Sequence, residues 1–154
     1  MTSAGLEGLY QQLILDHAKA PIGFGLLGSA AASSHQVNPT CGDEVTLELH
    51  VDGGTIAEVR WEGHGCSISQ ASASLLSELA GGLTASDLTI RIDAFRDAMR
   101  SRGTIEPDEE LLGDAVVLGG VSRYVARVKC AMLAWVAAED AITRLDATAG
   151  IEPA

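Results

Sequence analysis

The sequence predicts an α+β fold: a small antiparallel three-stranded sheet with helices packed on one face. Three observations lead there. Residues 44–51 alternate, with Val45, Leu47, Leu49 and Val51 on one side and Glu44, Thr46, Glu48 and His50 on the other, the period of a half-buried antiparallel strand. Asp52-Gly53-Gly54 then marks a tight turn before a second alternating run through Ala57, Val59 and Trp61. From Ser67 onward the apolar period becomes helical, and strands followed by helices define the class.

The remaining elements follow in chain order. Residues 6–18 read as a helix, with Leu6, Leu9, Leu13 and either Ile14 or His17 near one face. Pro21 ends it, and Gly23, Gly25 and Gly28 mark a loose connection. A weaker strand is expected over 33–38. A helix covers 67–80 and is closed by Gly81 and Gly82. Thr84 with Asp87 forms a capping pair that opens a helix reaching about Arg100. Pro107, followed by Asp108, Glu109 and Glu110, starts a short helix expected to end at Gly119-Gly120. A last helix runs from about Ala126 to Leu145, and the tail beyond it is expected to fray. No repeat or linker interrupts the chain, so 1–154 reads as a single domain.

Composition narrows the function. The chain has 47% hydrophobic and 20% charged residues, which suits a folded globule and excludes disorder. Ten Lys and Arg against 21 Asp and Glu give a formal charge of −11. Such a field repels phosphate backbones and anionic lipid, so neither nucleic acid nor a membrane is an expected partner; a protein with a basic docking surface is. Glu7 and Asp16 fall where a signal peptide would be apolar, and no run approaches the ~18 apolar residues of a membrane span. Three cysteines, an odd number, make no disulfide framework. The expected location is the cytoplasm, where thiols stay reduced.

The cysteines are where the chemistry lies. Cys41-Gly42-Asp43 sits in the loop entering the strand, just after Asn38-Pro39; Cys66 ends Gly63-His64-Gly65-Cys66, at a joint between strand and helix; Cys130 lies in the first turns of the last helix. The hairpin places the first two at one edge of the sheet, whereas spacing alone does not bring Cys130 to them. Gly42 lets the backbone turn so that Cys41 and Asp43 can face one centre, and Gly65 does the same before Cys66, whose thiolate a helix N-terminus favours. Thiolates with one carboxylate suit tetrahedral zinc, and the same donors can hold iron and sulfide. Buried free cysteines also serve simply as small hydrophobes, a reading that suits Cys130 best.

Three segments carry a resemblance: Asn38-Pro39-Thr40-Cys41-Gly42-Asp43; Gly63-His64-Gly65-Cys66-Ser67-Ile68-Ser69 with Ala71-Ser72-Ala73-Ser74; and Arg127-Val128-Lys129-Cys130-Ala131-Met132-Leu133-Ala134-Trp135. Together with Leu9-Tyr10, Asp16-His17 and Pro21 they resemble the NifU N-terminal/IscU-like superfamily over nearly the whole chain. The scaffold branch of that family carries a histidine before its third cysteine and a Leu-Pro-Pro-Val-Lys motif just upstream. Here Lys129 precedes Cys130, and 124–129 lacks the proline pair. Residues 99–119 resemble the insertion of the other branch, the SufU-type zinc-dependent sulfurtransferases.

That resemblance implies Zn²⁺ held by Cys41, Asp43, Cys66 and Cys130, with Cys41 as the catalytic sulfur acceptor. It implies a SufS-type cysteine desulfurase as partner and delivery toward a downstream iron–sulfur assembly scaffold. Two alternatives stay open: a non-enzymatic scaffold on which an iron–sulfur cluster is built, and a zinc domain that only regulates the desulfurase. The family's basic residue and asparagine after the early proline are replaced by Ile22 and Gly23, which bears on partner docking and not on the metal set.

Other residues invite weaker roles. His64 lies two positions from Cys66 and can be read as a ligand or a base, yet no orienting group is assignable and the family motif does not require it. His17 with Asp16 reads as fixing the N-terminal helix. Arg127, one helical turn before Cys130, can offset the −2 charge of three thiolates and a carboxylate around Zn²⁺; the competing reading is a solvated arginine.

Overall fold

The structure, a computed structural model, describes residues 3–40 and 42–149, with side chains over 8–40 and 42–145. Helix α1 spans Ser3–Lys19, followed by strands β1 (Ala32–Asn38), β2 (Asp43–Asp52) and β3 (Thr55–His64). Helices α2 (Ser67–Ala80), α3 (Ala85–Arg100) and α4 (Glu109–Leu112) follow, then a 3-10 segment Gly113–Arg123 and helix α5 (Val125–Ala149). The three strands pair antiparallel in the order β1-β2-β3, as the alternating pattern predicts. No helix among the described residues is long and apolar enough to cross a membrane.

One sheet face forms the core. Val45, Leu47, Leu49, Ile56, Val59 and Trp61 are buried there against α2 and α5, whose Leu75, Leu76, Ala134, Trp135 and Ala138 are almost fully enclosed. Alanines on α5 allow close approach of the helix to the sheet, and the few aromatics fill what remains. Trp135 stacks on Phe95 of α3, with ring centroids 4.0 Å apart and planes 9° from parallel. Its indole N–H donates to Ser72 Oγ at 2.8 Å, and that hydroxyl donates to the Ala131 carbonyl at 2.6 Å. A buried polar chain of this kind ties α2 to α5 in one fixed register.

The segment after α1 protects the outer edge of β3. Gly25 N–H donates to the Trp61 carbonyl, Trp61 N–H to the Gly23 carbonyl, and the Trp61 indole to the Ile22 carbonyl, so exposed ladder groups are partnered. The chain then crosses to Glu48, whose carboxylate accepts the N–H groups of Leu27 (2.9 Å) and Gly28 (3.1 Å) and lies 2.9 Å from His50 Nε2.

Several expectations need correction. The apolar face of α1 is Tyr10, Leu13 and Ile14, which pack on the core, whereas Leu9 is 52% exposed and Leu6 lies outside the described side chains. Val51 was expected on the buried face of β2 but is 38% exposed, because a register shift between His50 and Val51 reverses the alternation. Glu48, on the polar side, is buried at 6% exposure by the crossing segment. The helix after Pro107 stops at Leu112, not at Gly119-Gly120: Gly113 takes φ +54 and the chain tightens into the 3-10 segment. The Thr84 cap is as expected, with Asp87 N–H donating to its hydroxyl at 3.0 Å. The fraying expected of the tail falls largely outside the described residues.

Glu48 gives this architecture a pH dependence. Burial by itself pushes its pKa up, but hydrogen bonds from His50 and from the Leu27 and Gly28 N–H groups outweigh it and hold the carboxyl below its ordinary value. A carboxyl lowered in the folded state adds stability above its unfolded pKa of about 4.3 and loses it as pH falls through the folded value. Urea unfolding of the parent and of Glu48→Gln, followed from neutral to acid pH, should therefore start with the parent more stable and converge in acid. A gap independent of pH would contradict this account.

Candidate metal centre

The sheet register builds the site. Asn38 pairs with Asp43 across the β1–β2 hairpin, and Glu44 pairs with His64 at the end of β3. Asp43 therefore lies beside the joint where the chain leaves β3 for α2. Cys66 is the N-cap residue of α2, with no side-chain cap hydrogen bond, so its sulfur sits at the positive end of the helix. Its N–H donates to Asp43 Oδ1 at 3.2 Å. Cys130, in the second turn of α5, is 2% exposed and lies 3.9 Å from the Ala126 carbonyl.

Ligand-type atoms of Asp43, Cys66 and Cys130 lie within 4.8 Å of one another. They line a cavity of about 500 Å³, shared with Gly42, His64, Gly65, Ala126 and Arg127. The α2–α5 clamp at Ser72, Ala131 and Trp135 sets this distance: Ala131, whose carbonyl it holds, follows Cys130 directly. Sequence spacing does not join Cys130 to the others, and the role of Ser72 and Trp135 emerges only from how α2 and α5 pack. A Ser and a Trp at facing helix positions were the available signal.

Asp43 is 2% exposed, and its second oxygen, Oδ2, is buried without a hydrogen-bond partner. An ionised carboxylate oxygen left bare in the interior is costly. A cation bridged to the adjacent thiols removes that cost, so these residues fit a metal ion: two thiols and one carboxylate, closely grouped at a cavity. Cys41 lies outside the described residues. Its neighbour Gly42, at φ +76, lines the cavity and donates its N–H to the Asn38 carbonyl at 2.8 Å.

The other candidates separate. His64, 74% exposed at its side chain, lies 3.1 Å from Glu44 Oε1, and His35 lies 2.6 Å from the other oxygen of the same carboxylate. The His35 hydrogen bond is the main cause of the lowered Glu44 pKa, with His64 adding to it. His64 thus has its own partner at the cavity rim. His17 Nδ1 is 2.7 Å from Ser74 Oγ, tying α1 to α2 as expected of it. Arg127 lines the cavity from α5 and is exposed, with no ion pair among the described residues.

Gly65 is a second constraint on the site. A Cβ there would fall 2.5 Å from Asp43 Oδ1 and 2.9 Å from its carboxyl carbon, so any side chain pushes the carboxylate aside. Gly65→Ala should cost about 1–3 kcal/mol in metal-free protein, the usual penalty of overpacking. It should also shrink any rise in melting temperature on addition of Zn²⁺. Calorimetry with and without Zn²⁺ checks both, and a parent-like metal-induced shift would show that Asp43 needs no such clearance.

Residues 9–131 match the family model described as NifU-like N terminal domain. The chain is 38% identical over 143 residues to the zinc-dependent sulfurtransferase SufU of Bacillus subtilis, covering 92% of this chain and 95% of that one. It is 34% identical over 144 residues to the iron–sulfur cluster assembly scaffold protein IscU of Streptococcus pyogenes, covering 94% and 89%. Among solved structures, the N-terminal part of a nitrogen-fixing NifU-like protein from Brucella abortus superposes with a TM-score of 0.82 at 25% identity, covering 92% of this chain and 97% of that one. With its α+β fold and its clustered Asp43, Cys66 and Cys130, the chain belongs to the NifU-like N-terminal domain family, within the IscU-like superfamily.

Proposed function

We propose that this protein is a zinc-dependent sulfurtransferase, one domain over 1–154, that accepts persulfide sulfur from a SufS-type cysteine desulfurase for iron–sulfur cluster assembly. The observation that carries the reading is the bare, buried Asp43 Oδ2 beside the Cys66 and Cys130 sulfurs. In this reading Cys41, Asp43, Cys66 and Cys130 hold Zn²⁺. When bound, the ion keeps the thiols deprotonated at neutral pH.

The transfer balances without a redox partner. The Cys41 thiolate attacks the outer sulfur of the desulfurase persulfide, a new S–S bond forms on Cys41, the old one breaks, and the desulfurase thiolate leaves. Among the three cysteines, Cys66 caps α2 and Cys130 is enclosed in α5, so turning either outward breaks packed contacts. Cys41 precedes a glycine at φ +76 in the hairpin connection, where a side chain turns at least cost. Arg127, at the cavity rim, offsets the −2 charge of the loaded site and attracts the anionic persulfide.

The likeness to the Bacillus subtilis sulfurtransferase supports this reading. Similarity to a protein named as an iron–sulfur cluster scaffold supports a second one, in which the same residues hold a nascent cluster. Lys129 before Cys130, where the scaffold branch carries histidine, favours sulfur transfer. The charge of −11 favours a basic docking face on the desulfurase and an association that weakens with salt. Delivery then runs to a downstream assembly scaffold, in a reducing cytoplasm.

Protein purified without chelator should carry about one zinc per chain. After incubation with desulfurase and cysteine, mass spectrometry should place the added sulfur on Cys41. Cys41→Ser should keep its fold and much of its zinc yet carry no persulfide, while Cys66→Ser and Cys130→Ser lose metal or stability. A stable brown cluster would move the assignment to the scaffold, sulfur found reproducibly on Cys66 or Cys130 would overturn the roles, and desulfurase stimulation without any persulfide would leave a regulatory zinc domain.

A further inference from the structure

At the other end of α2 a second group of ligand-type side chains converges. His17 comes from the end of α1, Glu78 from the last turn of α2, and Asp114 from the start of the 3-10 segment. One ligand atom from each lies within 4.8 Å of the other two. Glu78 lies twelve positions beyond Cys66, the N-cap of α2, roughly 18 Å along the axis, and the two groups have no residue in common.

We propose that His17, Glu78 and Asp114 form a second divalent-cation site, taking a borderline first-row ion such as Mn²⁺ or Zn²⁺. The imidazole is prepared for it. Ser74 is fully enclosed, and its Oγ accepts the Ile22 N–H at 2.8 Å while lying 2.7 Å from His17 Nδ1. Ser74 Oγ holds Nδ1 in either tautomer, and the one in which Nδ1–H donates to the hydroxyl leaves the lone pair on Nε2. That nitrogen makes no hydrogen bond among the described residues, the arrangement by which an outer partner fixes a ligand histidine.

Neither Glu78 nor Asp114 forms an ion pair with Lys or Arg among the described residues. Burial and then the Asp114 charge raise the Glu78 pKa, and contact with the Asp114 carboxyl adds to the rise, against a lowering by His17. A cation between the two carboxylates would relieve that repulsion. One imidazole and two carboxylates, with positions left for water, form a donor set suited to Mn²⁺ and Zn²⁺ and unlike the thiol-rich set at Cys66. The ion would pin α1 and the 3-10 segment onto α2.

The test uses the full chain with its cysteine site preloaded with one equivalent of Zn²⁺, titrated with Mn²⁺ while free Mn²⁺ is followed by electron paramagnetic resonance. One further ion per chain should bind and raise the melting temperature. Loss of an outer partner commonly weakens a metal site 10–100-fold, so His17→Ala, Glu78→Gln and Asp114→Asn should each weaken Mn²⁺ binding at least about tenfold while leaving the preloaded Zn²⁺ in place. Glu78→Gln also relieves the carboxylate repulsion, so its metal-free form should melt no lower than the parent; lost binding in that variant is then not lost folding. No Mn²⁺ bound, or binding that Glu78→Gln and Asp114→Asn leave unaltered, would overturn the site.

Discussion

A carboxylate with one oxygen bare in the interior constrains everything around it. Asp43 has a partner for Oδ1 in the Cys66 N–H and none for Oδ2. Breaking up or failing to compensate a buried charge costs several kcal/mol, so a fold that keeps Asp43 there requires a cation or a proton beside it. The surroundings are consistent with the cation. The hairpin pairing of Asn38 with Asp43 fixes where the carboxylate starts, Gly65 leaves room for it, and two thiols lie within 4.8 Å of it. A proton would satisfy the oxygen without explaining why two cysteines from separate helices converge on it.

The convergence itself is a packing result. Cys66 and Cys130 belong to helices that meet through the core, and their separation follows from how α2 and α5 dock. Alanine at 71, 73, 131, 134, 137 and 138, all buried, leaves the facing helices free to approach closely. The Trp135–Ser72–Ala131 chain then selects one rotation and one register, since sliding either helix by a residue leaves a buried indole N–H and a hydroxyl unsatisfied. Phe95 against Trp135 holds α3 to the same point. Precision at the surface cavity is thus bought by contacts one helical turn deeper.

Much of this was legible from the chain. The β2–β3 hairpin, the Thr84 cap and the placement of α2, α3 and α5 rest on local patterns, and local patterns survive folding. The Asp43–Cys66 pairing followed from hairpin topology alone. What failed did so where tertiary contacts override local period. Val51 follows a bulge that no residue type announced, and Glu48 sits on a polar face that a distant loop covers. Leu9 was assigned by spacing to a face that α1 turns away from the core. The 3-10 run through Gly119-Gly120 kept its helical sense where two glycines suggested an end, because Val117, Leu118 and Val121 are anchored in the core on either side. Cys130 reached the site through the α2–α5 register, a pairwise property that one helix's sequence does not contain.

A chain with two donor sets at opposite ends of one helix must keep the right ion in each. Affinity alone does not sort first-row metals, since copper and zinc outrank manganese and iron at almost any site. Donor softness and burial do. The cysteine set is soft and sits at the N-cap of α2, where the helix end favours thiolate. The His17, Glu78 and Asp114 set is harder and more open, with both carboxylates exposed to solvent. With the assignments proposed above, zinc would saturate the first at concentrations that leave the second free, and the second could then exchange with whatever borderline ion prevails. An ion at the cysteine set would be part of the fold, while one at the exposed set would fill and empty without disturbing the core, because beyond Glu78 it would hold only the end of α1 and the start of the 3-10 segment.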